Sequence, residues 1–304
     1  MSQSPLVTIV IPSFNQGAYI GQCIESILTQ DHRPLEIWVV DGGSTDDTLT
    51  VLSQFDYCNE IHWISEPDRG PADAVNKGLK RAGGSILAIQ SSDDAYLPGA
   101  ISTAVSALQA NDDVGLVYGD IKKVDQHDRV VYASSQIRHG NLDDLLAKRM
   151  WIPQASAFFK ASVIDRIGYW NPDLPYTPDI DYWIRIWFEF EVEKLEGVIA
   201  TIRMHEEQRD RQAAKIVRDW NRMVTESRSI RAASFATRRA AWAGCHRNAL
   251  EYGAGNDWMV SYHMLMQSVY VPSNLPKLIA NWRQAIPGFI PCYKLFSRLR
   301  SNST

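Results

Sequence analysis

Cysteine is scarce in this 304-residue chain: Cys23, Cys58, Cys245 and Cys292 are scattered. None forms a CxxC pair or a Cys/His cluster with zinc-ligand spacing, which excludes a disulfide framework and a structural zinc site and leaves ordinary reduced thiols. Long apolar runs are absent too. Leu6 to Ile11 is too short for a secretory signal or a membrane span, and Met1 to Pro5 is short and polar, so the expected location is the cytoplasm. No G-x-G-x-x-G follows the first apolar run, which disfavours a dinucleotide-binding oxidoreductase, and His205-Glu206-Glu207 lacks the second histidine of a zinc-protease helix. No repeat of fixed period is present. The formal net charge is only −4, yet it is unevenly spread: 16 Lys and Arg face 7 Asp and Glu from Ala200 onward, against 15 and 28 before it. An acidic body thus carries a basic end, which suits an anionic surface.

What is present alternates strand with helix. Leu6–Ile11 is a continuous β-branched run, the mark of a strand covered on both faces. Ile20, Ile24, Ile27 and Leu28 follow at helical spacing. Leu35–Val40, Ile61–Glu66, Ile86–Ile89 and Val114–Asp120 read as further strands, with helices over Leu49–Leu52, Ala72–Ala82 and Gly99–Ala110 between them. Val130–Tyr132 is expected to pair with Val114–Asp120 across a charged hairpin. This order predicts a doubly wound α/β domain with a mostly parallel sheet. Further on, a stretch Trp151–Phe159 running from a loop into a strand, a helix over Val163–Ile167 capped by Ser162, a helix from Tyr182 and a last strand over Lys194–Arg203 are expected. Beyond it the sequence reads as helix, continuous from Ala213 to Thr237 and then near Ala241–Glu251 and Trp258–Val269. The aromatic and basic end, Ile279–Leu299, is broken by Pro287 and Pro291 and is no clean membrane span. The division expected is 1–205 for the α/β unit and 206–304 for a helical, basic extension.

Polar clusters stand where these strands end, which is where open α/β sheets bind ligands. Ser91-Ser92-Asp93-Asp94 closes the Ile86–Ile89 strand; the same residues also suit a turn before the next helix. Asp41-Gly42-Gly43 closes the second strand, where the glycines allow close approach of a ligand and Thr45 or Asp46 suits the cap of the following helix. Asp73, Asn76 and Lys77 share one helix face, as a solvated polar face also would. Asp179 and Asp181 stand near a helix start, where acids favour the dipole on physical grounds alone.

Taken together, Pro12-Ser13-Phe14-Asn15, Val39-Val40-Asp41-Gly42-Gly43-Ser44-Thr45-Asp46, Ser65 to Gly70 with Asp73 to Gly78, Ser91-Ser92-Asp93-Asp94 and Asp179 to Arg185 resemble the family 2 glycosyltransferases of GT-A fold. The resemblance implies an inverting enzyme that moves a sugar from a nucleotide-diphosphate sugar, a UDP-sugar being favoured, to a glycan or lipid-linked acceptor. A divalent metal, Mn²⁺ or Mg²⁺, is implied as cofactor, and cell-surface or extracellular polysaccharide synthesis as the setting. By the same resemblance Asp93 is the metal-binding acid of a DXD-like motif whose first position is Ser91 here, and Asp94 supports it. Asp41 would accept a hydrogen bond from the base. Pro12, Ser13, Asn15, Gly43 and Ser92 would line the nucleotide-sugar pocket and Asp73 would close it. Asp179 would be the general base, with Asp181 the alternative, and His205 would stand near the diphosphate or metal. A nucleotide-sugar-binding protein without turnover is the competing reading, prompted by Ser91. The basic C-terminal region suggests a peripheral contact with the inner face of the membrane, with a helical cap or dimer surface as the alternative. No nucleic-acid partner is expected.

Overall fold

The computed structural model describes residues 4–135, 137–205 and 212–251, together with Met266 and Tyr270. Strand and helix alternate at first: β1 (Val7–Ser13), α1 (Ile20–Leu28), β2 (Leu35–Asp41), α2 (Thr48–Ser53), β3 (Ile61–Ser65), α3 (Pro71–Leu79) and β4 (Ile86–Ile89). A two-residue β5 (Ala95–Tyr96) and α4 (Ala100–Ala110) lead into the long β6 (Val114–Asp125) and its hairpin partner β7 (Val130–Ser135). Then come α5 (Leu142–Leu146), β8 (Ala157–Lys160), α6 (Ser162–Ile167), α7 (Pro178–Glu189) and β9 (Glu191–Met204). Three helices close the described chain: α8 (Ala213–Glu226), α9 (Arg228–Ala232) and α10 (Phe235–Glu251).

One sheet carries the strands in the order β3-β2-β1-β4-β8-β6-β9-β5, with β7 paired to β6. The β3-β2-β1-β4 half is parallel, β9 runs parallel to β6, and β8 lies antiparallel between β4 and β6. The β-branched runs explain the parallel half. Val7, Ile9, Val10 and Ile11 of β1 are all fully buried, because helices cover both sheet faces. Ile20, Ile24 and Ile27 of α1 are fully buried as well, each worth about 1.5–3 kcal/mol of apolar burial. The register sets Ser13 opposite Asp41 and Asp41 opposite Ser65, and the Gln90 amide donates to the Val10 carbonyl. Four strand ends therefore stand in a row.

Three expectations change. The helix expected from Tyr182 begins at Pro178, so Asp179 and Asp181 lie inside its first turn. Ser162 opens α6 as a helical residue and makes no side-chain cap. The continuous helix expected over 213–237 is broken, because Ser227 turns its hydroxyl back to accept from the Ile230 amide and Ser234 does the same for Thr237. The segment Trp258–Val269 (Met266 aside) and the aromatic end Ile279–Leu299 lie outside the described residues. The described helices pack onto the sheet body: Asp219 accepts from the Tyr176 amide at 2.9 Å, and Trp220 is 1% exposed. Among the described residues no helix is long and apolar enough to cross a membrane.

Candidate active site

The β2 end is organised by Asp41. Its Oδ2 accepts from the amides of Gly43 (3.0 Å) and Ser44 (2.8 Å) and from Ser65 Oγ (2.7 Å), while Oδ1 accepts from the Ser44 hydroxyl. Asp41 is 0% exposed, so in this arrangement its carboxylate shapes the loop after β2 and faces no open surface. Gly43 turns that loop with φ of +85°, a conformation suited to glycine. The β1 loop interlocks with it. Ser44 Oγ accepts from the Asn15 amide at 2.7 Å, and Asn15 Oδ1 accepts from the Thr45 amide at 2.9 Å. Asp46 joins the two loops as well, accepting from Gly17 and Thr48. Asn15 is exposed, Pro12 half-buried, and the buried Ser13 hydroxyl has no hydrogen-bond partner among the described residues. A buried hydroxyl left so costs free energy unless a ligand or water satisfies it.

The loop after β3 adds two acids. Asp73, in the first turn of α3, accepts from the Arg69 amide and lies near Lys77; burial pushes its carboxyl up, but these partners outweigh it and the pKa is lowered. Asp68, absent from the expected site residues, behaves in the opposite way. Burial dominates and raises its carboxyl, helped by Asp73 and Asp41. It presses against Gly42, where a Cβ would stand 2.7 Å from its Oδ2. That contact explains why a glycine precedes Gly43: any side chain would displace Asp68.

Beyond β4 the chain brings Asp93 and His205 together, although 112 positions separate them. Asp93 Oδ2 lies 2.9 Å from His205 Nε2, with the two side chains 17% and 6% exposed. Ser92 and Asp94 are buried, and Asp94 Oδ1 accepts from the Arg203 amide. Ser91 Oγ is 3.2 Å from Gln154 Nε2, which donates to it; Gln154 was not among the expected site residues. Asp93 and His205 offer one carboxylate and one imidazole. That donor set fits a hard divalent ion completed by phosphate oxygens and water, as Mg²⁺ and Mn²⁺ are commonly held. Among the described residues no group of three or more His, Cys, Asp or Glu converges.

On α7 the two acids differ. Asp181 is buried against Arg185, whose Nε donates to it at 2.8 Å while the same guanidinium donates to the carbonyls of Ile167 and Tyr169. Burial raises its carboxyl, with Arg185 opposing. It also lines a cavity of about 460 Å³ with Tyr169, Leu174, Arg222 and Arg228. Residues two apart on a helix point about 200° apart, so half-buried Asp179 faces away from that cavity. Asp181→Ala is expected to cost about 1.5–3 kcal/mol of stability in urea unfolding, because half-buried Arg185 loses a charged hydrogen-bond partner while keeping its two carbonyl acceptors. The fraction that stays folded should keep its turnover.

Acids and small polar residues gathered at the ends of parallel strands, with a further acid on a helix reached through a mixed half-sheet, define a GT-A fold. Solved structures of that fold are similar to the chain. Staphylococcus aureus TarS 1-349 in complex with UDP-GlcNAc matches with a TM-score of 0.66 at 14% identity, covering 87% of this chain and 80% of that one. The mannosyltransferase PcManGT from Pyrobaculum calidifontis, in complex with GDP-Man and Mn²⁺, matches with a TM-score of 0.61 at 19% identity, covering 99% and 81%. Residues 8–168 match glycosyl transferase family 2, and the chain belongs to that family. Among relatives, a PGL/p-HBAD biosynthesis glycosyltransferase of Mycobacterium bovis is 31% identical over 60% of this chain and 70% of its own length. An uncharacterized glycosyltransferase of Rickettsia felis is 30% identical over 67% of this chain, which spans only 35% of that longer relative.

Proposed function

We propose that the chain is an inverting glycosyltransferase that takes a sugar from a nucleotide-diphosphate sugar and delivers it to a hydroxyl of a glycan or lipid-linked acceptor, in cell-surface or extracellular polysaccharide synthesis. The observation that carries this reading is the Asp93–His205 pair at 2.9 Å, in the loop after β4, on the same row of strand ends as Ser13 of neighbouring β1 and the Asn15–Ser44 loop lock. TarS with UDP-GlcNAc and PcManGT with GDP-Man support a nucleotide-diphosphate sugar as donor, a UDP-sugar being our preferred one.

In this reading Ser13, Pro12, Asn15, Gly43 and Ser92 hold the nucleotide and Asp73 borders it, with Asp41 keeping the loop in shape. Such rigid strand-end contacts orient the donor before reaction. Asp93 and His205 are the residues that would hold the divalent cation, Mn²⁺ or Mg²⁺. When bound, that ion neutralises charge on the leaving diphosphate. Asp179 takes the proton of the acceptor hydroxyl as its oxygen bonds to the anomeric carbon. The bond from that carbon to the phosphate oxygen breaks on the opposite face, and its electron pair leaves with the diphosphate. Residues 1–205 form the donor-binding and catalytic unit, and the basic region 206–304 meets an anionic membrane face on the cytoplasmic side, where a lipid-linked acceptor would lie.

The test is transfer from UDP- and GDP-sugars to glycoside acceptors with Mn²⁺ present, the product's anomeric configuration read by proton NMR. The expected product has the configuration opposite to the donor's. A product of retained configuration would remove Asp179 from the role of base.

A further inference from the structure

Arg203 is 3% exposed and has no part in the chemistry above, yet it touches several segments around Asp93 and His205. Its Nε donates to the Asp93 carbonyl at 3.1 Å, and its main-chain amide donates to Asp94 Oδ1 at 3.0 Å. Nη1 donates to the Asp125 carbonyl at 3.1 Å, and Nη2 to Gln22 Oε1 and Asp128 Oδ1, both at 2.7 Å. The Tyr19 ring lies 5.0 Å from its guanidinium carbon and 5.3 Å from the His205 ring.

We propose that Arg203 is the positioning residue of the diphosphate corner, fixing Asp93 and His205 in one arrangement by tying the loop after β4, helix α1 and the β6–β7 turn to the end of β9. The proposal rests on the nucleotide-sugar reading of that corner. Residues 203 and 205 are two apart along an extended chain, so their side chains fall on the same face, and Tyr19 touches both. A guanidinium offers a planar fork of five donors and stays charged, so one side chain serves acceptors on several elements at once. A lysine ammonium is a single point and cannot span them. Asp128 feels the tie. Burial pushes its carboxyl up, but the Arg203 and Gln22 hydrogen bonds outweigh it and the pKa is lowered, although its side chain is 54% exposed. Partners that hold metal ligands in place typically govern metal affinity ~10–100-fold without touching the ion.

The test is calorimetric binding of UDP, with and without Mn²⁺, to Arg203→Lys, Asp128→Gly and Asp128→Asn, with thermal unfolding of each protein alongside. Asp128 has φ of +62°, which glycine and asparagine tolerate, so those variants fold even where Arg203→Lys does not. Arg203→Lys is expected to weaken Mn²⁺-dependent UDP binding ~10–100-fold while leaving metal-free UDP binding unchanged. Asp128→Gly should lose part of the Mn²⁺ increment, and Asp128→Asn, which keeps the acceptor, should restore it. Wild-type Mn²⁺ increments in Arg203→Lys and Asp128→Gly would overturn the proposal alone. So would a parallel loss of both binding modes that merely tracks the unfolding midpoint, the mark of a structural role. A wild-type protein that binds neither UDP nor GDP, with metal or without, would overturn the nucleotide-sugar reading and the proposal with it.

Discussion

Asp179→Asn should lower glycosyl transfer by about 10²–10⁴-fold, the usual worth of a general base, and leave donor binding intact. The expectation rests on the division of labour at the start of α7. Asp181 is committed to Arg185 and to the wall of the neighbouring cavity, and its carboxyl is buried and raised. Asp179 stands in the same turn on the other side, half-buried, with a carboxylate of the kind that accepts a proton as a hydroxyl attacks. Because the base meets the acceptor and not the nucleotide, the loss should fall on turnover, with the donor dissociation constant unchanged. Stopped transfer assays and calorimetric titration with the nucleoside diphosphate separate the two. Equal losses from Asp181→Asn in its folded fraction would move the base to that residue.

Asp93→Ala should cost about 100-fold or more in transfer and abolish the Mn²⁺-dependent increment in nucleotide binding, since removal of a ligand exceeds the effect of removing its supporting partner. His205 would keep its ring against Tyr19 but lose the carboxylate 2.9 Å away, leaving a single protein donor at the corner. Asp94→Ala is a useful contrast. Its carboxylate accepts from the Arg203 amide, so its loss acts through position, and a smaller effect is expected. Metal titrations of transfer rate in both variants check the order. An Asp93→Ala protein with the wild-type metal response would remove that residue from the diphosphate corner.

Much of the parallel half-sheet was legible because physics leaves local marks there. Val7, Ile9, Val10 and Ile11 can be buried on both faces only inside a covered sheet, and the polar turns after Ser13, Asp41 and Ile89 follow from where such strands must stop. Pro178 in the first turn of α7 was a helix-start signal in the sequence too, and it places Asp179 and Asp181 inside that turn. Other features had no local mark. Two-residue β5 is a strand only because β9 lies beside it, with Ala95 opposite Thr201. Arg203 gains its meaning from partners about β4, α1 and the hairpin, 75 to 181 positions away along the chain. Gln154 reaches Ser91 across 63 positions, and Asp68 meets Gly42 only once two loops are folded. The break after Glu226 was visible in principle, since Ser227 and Ser234 are cap-forming residues, but amphipathic spacing on both sides masks it.

The central claim is that the strand-end corner is a nucleotide-sugar site completed by a divalent ion. Thermal unfolding of the whole chain with UDP- and GDP-sugars, each with and without Mn²⁺, tests it most directly. A donor at about 100 times its dissociation constant adds ~2.7 kcal/mol to stability. For a body of this size that raises the midpoint by on the order of 5 °C. The account predicts such a rise for at least one donor, larger with Mn²⁺, and an Asp93→Ala protein in which the Mn²⁺ increment is lost. An unchanged midpoint with every donor in the presence of Mn²⁺ would contradict it.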